Sequence, residues 1–201
     1  SVQEDDDQQG LAHFTEHMAF NGTKHFKKYE LVDYLNSIGM GYANGLNAAT
    51  GMDQTVYQLQ VPTDNDEQFK KAFLILSDWA NGISFDTEEL NKERGVIIEE
   101  WRGGQGAEQR IYDKQRKVIF AGSRYAERMP IGKLEVLQNF KPETIKKFYK
   151  DWYRPDLMAV IAVGDFDAAV VEQLIKDDFG QIPAVVKPRE DTLWTRHPAM
   201  D

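Results

Sequence analysis

Cysteine is absent from this 201-residue chain, so disulfides, thiolate metal ligands and cysteine nucleophiles are all excluded. Long apolar runs are absent too. The continuous run at 157–163, Leu-Met-Ala-Val-Ile-Ala-Val, falls far short of the roughly 18–20 residues of a membrane-spanning helix. Positive charge is in deficit: 24 Lys and Arg stand against 33 Asp and Glu, a net charge of −9. That balance argues against nucleic acid or anionic membrane as a partner, since both select basic surfaces. Internal repeats and low-complexity tracts are also missing. What is present, 41% hydrophobic residues over this length, suits one globular domain with its own core.

Histidine is scarce, with four in the chain, yet two of them fall in Leu11-Ala12-His13-Phe14-Thr15-Glu16-His17-Met18. At roughly 100° per residue, His13, Glu16 and His17 occupy one narrow arc of a helix, and residues four apart are about 6 Å apart at Cβ. Two imidazoles can therefore close on one metal ion with a carboxylate beside them as general base. The spacing H-x-x-E-H is the inverzincin pattern. The plainer alternative is an amphipathic helix with two satisfied surface histidines. A catalytic zinc site holds three protein groups and an open position, so a third ligand is required. Cysteine is excluded, and His25 and His197 lack helical partners at useful spacing. A carboxylate is the remaining choice.

A second helix, starting near Asp86-Thr87-Glu88-Glu89, carries Glu93-Arg94-Gly95-Val96-Ile97-Ile98-Glu99-Glu100-Trp101-Arg102. Seven residues make nearly two turns, so Glu93 and Glu100 share a face with Leu90, Ile97 and Trp101, while Glu99 points about 120° away. A carboxylate in an apolar stripe needs a metal, a partner charge or a proton. Pairing of Glu93 or Glu100 with Arg94 or Lys92 stays open on periodicity alone.

The stretch from Gly10 to Thr23, followed by Glu93 to Glu100, resembles the pitrilysin/insulinase family of zinc peptidases, and within it the PqqL-like zinc proteases of bacteria. Asn47-Ala48-Ala49-Thr50 with Asp53-Gln54-Thr55-Val56-Tyr57, then Phe148-Tyr149-Lys150-Asp151-Trp152-Tyr153-Arg154-Pro155 and Val163-Gly164-Asp165, extend the likeness in the same order. The resemblance implies zinc as cofactor, with His13, His17 and Glu100 as ligands, Glu16 as general base and Glu93 as a supporting acidic residue behind the ligands. It implies that Asn47, Ala48, Ala49 and Thr50 form an edge strand to which a peptide or unfolded protein adds by backbone pairing. It also implies a homologous second half around the substrate and a periplasmic or cell-envelope location. The chain alone is then expected to bind zinc but to hydrolyse peptides poorly. A non-catalytic structural or peptide-binding module of the same fold is the alternative. A small-molecule lyase sharing H-x-x-E-H would need a cysteine that this chain lacks.

Periodicity supplies the rest. Helices are predicted at 29–38, ended by Gly39, at 69–79 after Asp64-Asn65, at 107–120 with Ile111, Val118, Ile119 and Phe120 as its apolar residues, near Leu134, at 142–152 opened by Pro142, and at 167–179 with Val170, Val171, Leu174 and Ile175 inside. Strands are predicted at 55–61 by alternation, at 157–163 as a central strand, and within the glycine-rich 41–50. Asp5, Asp6 and Asp7 read as a solvated helix start. The expected fold is α+β: one layer of mostly antiparallel sheet packed against helices, as in the metallohydrolase fold of mitochondrial processing peptidase, truncated at its N-terminus. Residues 1–182 are expected to be the zinc-binding peptidase domain, lacking its first strands. Residues 183–201 are expected to lead towards a following domain.

Overall fold

The computed structural model describes residues 1–39 and 47–190. Among these lie eight α-helices: α1 Leu11–Ala19, α2 Lys28–Ser37, α3 Asp66–Asn81, α4 Thr87–Gly103, α5 Ala107–Ile119, α6 Leu134–Asn139, α7 Pro142–Trp152 and α8 Ala168–Phe179. Two strands, β1 Asn47–Thr50 and β2 Thr55–Gln58, form an antiparallel hairpin in which Asn47 faces Gln58 and Thr50 faces Thr55. The fold is thus α+β but helix-rich, and of the layer of mostly antiparallel sheet expected from the sequence the described residues show two antiparallel strands.

α1 is the central helix. Leu11, Phe14, Met18 and Ala19 are fully buried, with Phe14 edge-on to Phe140 at 4.8 Å between ring centroids. The indole of Trp79 on α3 donates to the Ala19 carbonyl at 2.9 Å, satisfying one of the acceptors that the end of α1 leaves free. α4 and α7 pack on α1, and α6 packs on α4. Leu90 and Ile97 of α4 and Ile145 and Phe148 of α7 complete the same core. Side-chain caps fix three starts where the sequence placed them: Asn65 accepts from Glu67 and Gln68, Asp86 from Glu88 and Glu89, and Asp167 from Ala169 and Val170.

Several expectations fail, each for a physical reason. Residues 157–163 form no strand, and Ile161 and Val163 are 83% and 91% exposed. An apolar run becomes a strand only beside a neighbour that takes its backbone hydrogen bonds, and no described segment does so. On α5, Ile111, Val118 and Ile119 face outward, while Arg116 is buried because its guanidinium donates to the carbonyls of Tyr125 and Ala126. Val170 of α8 is likewise exposed, though Val171 is buried. β2 stops at Gln58, but the alternation continues through Leu59 and Val61, both half-buried. Asp5 and Asp6 are not merely solvated: Asp5 pairs with Arg189 at 2.5 Å and Asp6 with Arg128 at 2.6 Å. The strand expected in the glycine-rich segment lies outside the described residues over 41–46, as does His197.

Candidate metal centre

α1 separates its two faces by residue type. Phe14, Thr15 and Met18 turn into the core, and His13, Glu16 and His17 turn towards a cleft of about 850 Å³. α4 crosses this face and brings its glutamates to it. His13 Nε2 and His17 Nε2 are 3.2 Å apart, and Glu100 Oε2 lies 3.8 Å from the first and 3.7 Å from the second. Among the described residues these three offer donor atoms close enough to share one metal ion.

Ligands at 2.0–2.2 Å around a tetrahedral zinc are separated from one another by roughly 3.4 Å. The three measured edges lie within a few tenths of an ångström of that value, and two imidazoles with one carboxylate form a set typical of zinc. The residues present therefore fit the ion. The charge pairing left open by the sequence is not what occupies the glutamates: Arg94 donates to the carbonyls of Leu137 and Phe140, and Lys92 pairs with Glu88 and Glu89.

Glu93 sits behind His17. Its Oε1 accepts from His17 Nδ1 at 2.8 Å and its Oε2 from Asn21 Nδ2 at 2.9 Å, while Asn21 also donates to the His17 carbonyl at 3.0 Å. A proton held on Nδ1 leaves the Nε2 lone pair facing His13 and Glu100. The electrostatics are asymmetric. Burial, joined by the neighbouring His17, lowers the His13 pKa to about 4. His17 is buried as well, but the hydrogen bond and charge of Glu93 outweigh that and raise its pKa. Burial opposes the ionised form of Glu93, yet hydrogen bonds from His17 and Asn21 pull its pKa below the ordinary value. His13 Nδ1 is buried without a hydrogen-bond partner. His13 is therefore held neutral, the state in which imidazole binds a metal.

Glu16 is 8% exposed, and its Oε2 accepts from the Thr50 hydroxyl at 2.5 Å. Burial raises its pKa, with the Thr50 hydrogen bond acting in the opposite sense. Ala48, Ala49 and Thr50 line the same cleft as Glu16, so part of the expected edge strand does face the centre. Trp101, Gln105, Gln109 and the Met129-Pro130-Ile131 segment line the same cleft.

Three contributors were not foreseen. Asn21, just past the end of α1, falls one turn after His17 and two after His13, which places it on their side of the helix. Glu4, wholly buried, accepts from the backbone N–H groups of Gly10 at 3.0 Å and Ala12 at 2.8 Å and so caps α1 from a distance. Nothing in the local sequence marks that loop-to-helix contact. The Thr50 hydroxyl is the third, since the sequence argued only for its backbone. His25 takes no part: it pairs with buried Asp78 at 2.8 Å.

Comparisons with known proteins converge on one family. Residues 1–128 match the family described as Insulinase (Peptidase family M16), and residues 139–198 match Peptidase M16 inactive domain. The chain is 40% identical over 187 residues to "Probable zinc protease PqqL" of Haemophilus influenzae, covering 93% of this chain and 20% of that protein. It is 42% identical to "Zinc protease PQQL-like" of Arabidopsis thaliana, covering 89% of this chain and 19% of that one. The crystal structure of the first half of the periplasmic protease PqqL from Escherichia coli superposes with a TM-score of 0.90 at 38% identity, over 96% of this chain and 41% of that one. The chain spans about one fifth of the length of the curated relatives it matches. Zinc is the metal for which these relatives are named, in keeping with the donor set around His13. By the family match over its first 128 residues, the chain belongs to the insulinase family of peptidases, M16.

Proposed function

We propose that the protein to which this chain belongs hydrolyses peptide bonds with a zinc ion held by His13, His17 and Glu100. The observation that carries this reading is the triangle of Nε2, Nε2 and Oε2 atoms with edges of 3.2, 3.7 and 3.8 Å, open to a cleft. Zinc bound by such a set supplies a Lewis acid that brings the pKa of water near 7 and polarises a carbonyl. Glu16 takes the proton of the attacking water and returns it to the leaving amine. Its burial favours the protonated form, which brings the carboxylate nearer the range suited to proton transfer at neutral pH. Glu93, bridged to His17 and Asn21, keeps the His17 ring in the tautomer a metal needs.

The substrate is a peptide or an unfolded protein that adds its backbone to β1, along Asn47, Ala48, Ala49 and Thr50. Two facts support that role: Ala48, Ala49 and Thr50 line the cleft, and β1 has a strand partner on one edge among the described residues. Residues 1–182 make up the zinc-binding domain, with the fold of mitochondrial processing peptidase. Residues 183–201 lead towards a following domain. A homologous second half closes over the substrate, as the solving of a "first half" of the Escherichia coli relative suggests. The periplasm or cell envelope of a bacterium is the compartment proposed from that same relative. The test is Glu16→Gln in the full-length protein: zinc content stays at the wild-type level and turnover falls about 10²–10⁴-fold. Undiminished peptidase activity with zinc retained removes Glu16 from the mechanism.

A further inference from the structure

The Glu16 carboxylate has a partner for which metal-assisted hydrolysis has no chemical requirement. Thr50, the last residue of β1, donates its hydroxyl to Glu16 Oε2 at 2.5 Å. The contact is not isolated. Thr50 Oγ1 lies 3.3 Å from the hydroxyl of Thr55, its register partner across the hairpin. On the same strand as Thr55, Tyr57 brings its hydroxyl to 2.8 Å from that of Tyr153. Tyr57 packs on the core indole of Trp79 at 5.4 Å. The base thus contacts a hairpin whose second strand is anchored on the core through Tyr57. Burial pushes the Tyr153 phenol up to about 12 and raises that of Tyr57 well above its ordinary value, so both keep their protons.

A glutamate side chain has three freely rotating bonds, and a base is effective only when its lone pair is aimed at the proton it removes. Ala48 and Ala49, the neighbouring strand residues in the cleft, carry no group that could aim it. We infer that Thr50 is a positioning residue: its hydroxyl, held beside that of Thr55 on a hairpin packed against the core, fixes the orientation of the Glu16 carboxylate and ties the base to the strand that faces the cleft. Placement of that strand and alignment of the base then become one event. This rests on the peptidase reading above, in which Glu16 is the base.

The test uses the full-length zinc-loaded protein, a quenched fluorogenic peptide, and the variants Thr50→Val, Thr50→Ser and Glu16→Gln, each with zinc content and melting temperature measured. Thr50→Val keeps the shape and loses the donor, and Thr50→Ser keeps the donor. In the expected result Thr50→Val lowers kcat about 10–100-fold with KM within about twofold, zinc and melting temperature hold, and Thr50→Ser restores kcat to within about threefold of wild type. Thr50→Ala, which cannot clash, replaces Thr50→Val if that variant does not fold. Wild-type kcat in Thr50→Val, a rise in KM alone, or equal damage from serine and valine each overturns the inference. Wild type that binds zinc yet cleaves no peptide overturns the peptidase reading, and the inference falls with it. Activity that is lost in Glu16→Gln but intact in Thr50→Val overturns the inference only.

Discussion

Glu93 offers no atom to the candidate metal position, yet it determines which nitrogen of His17 faces that position. Glu93→Gln replaces a charged acceptor with a neutral amide, loosening both the ring and its tautomer. Zinc affinity should fall about 10–100-fold, measured by competition with a chromophoric chelator, while the circular dichroism spectrum stays unchanged. Unaltered affinity would show that Asn21 and packing alone orient the ring. A second residue, Glu4, gives a dependence on pH. Burial raises its carboxyl pKa to about 7, although the N–H groups of Ala12 and Gly10 pull the other way. A carboxyl whose folded pKa exceeds its unfolded value of 4.5 contributes stability that is full below pH 4.5 and is lost as pH rises through about 7. Relative to Glu4→Gln, wild type should therefore lose on the order of 3 kcal/mol across that interval, read from urea denaturation at a series of pH values. A stability difference that is flat from pH 4.5 to 7.5 would show that Glu4 titrates normally.

Among the elements, α1 depends on a close backbone crossing at its start. Gly10 has φ +102° and Gly132 φ +75°, and a Cβ on Gly132 would lie 2.4 Å from both Gln9 O and Gly10 Cα. Gly132→Ala should destabilise the fold by about 2 kcal/mol or more. Gly95→Ala, inside α4 with open space around it, should stabilise by about 0.5–1 kcal/mol, and thermal denaturation of the pair reads both signs. Equal effects would mean that the crossing relaxes freely. The same scale shows what the sequence made legible. Caps and period located α3, α4, α7 and α8, because a helix satisfies its backbone locally and needs only one apolar stripe. The pair Glu93 and Glu100 was legible for that reason, being one heptad apart on a helix. The exposed run at 157–163 was not, since a strand depends on a neighbour that its own residues do not specify. On α5 the pattern misled: the buried position belongs to Arg116, whose long stem and carbonyl partners outweigh the apolar claim of Val118. Glu4, Asn21 and the Thr50 hydroxyl act through contacts between elements, which no local window contains.

At the scale of the whole molecule, the centre joins the start of the chain to its middle, with His13 and His17 on α1 and Glu100 on α4. An ion held there cross-links two helices of the core, so binding should add to folding stability in proportion to the logarithm of free zinc above its Kd. The most direct measurement is calorimetric zinc titration of this chain beside Glu100→Ala and Glu99→Ala, the latter removing an exposed carboxylate that pairs with Arg102. The account predicts one zinc per wild-type chain, the same for Glu99→Ala, and an affinity at least about 100-fold weaker for Glu100→Ala. Wild-type stoichiometry and affinity in Glu100→Ala would contradict it.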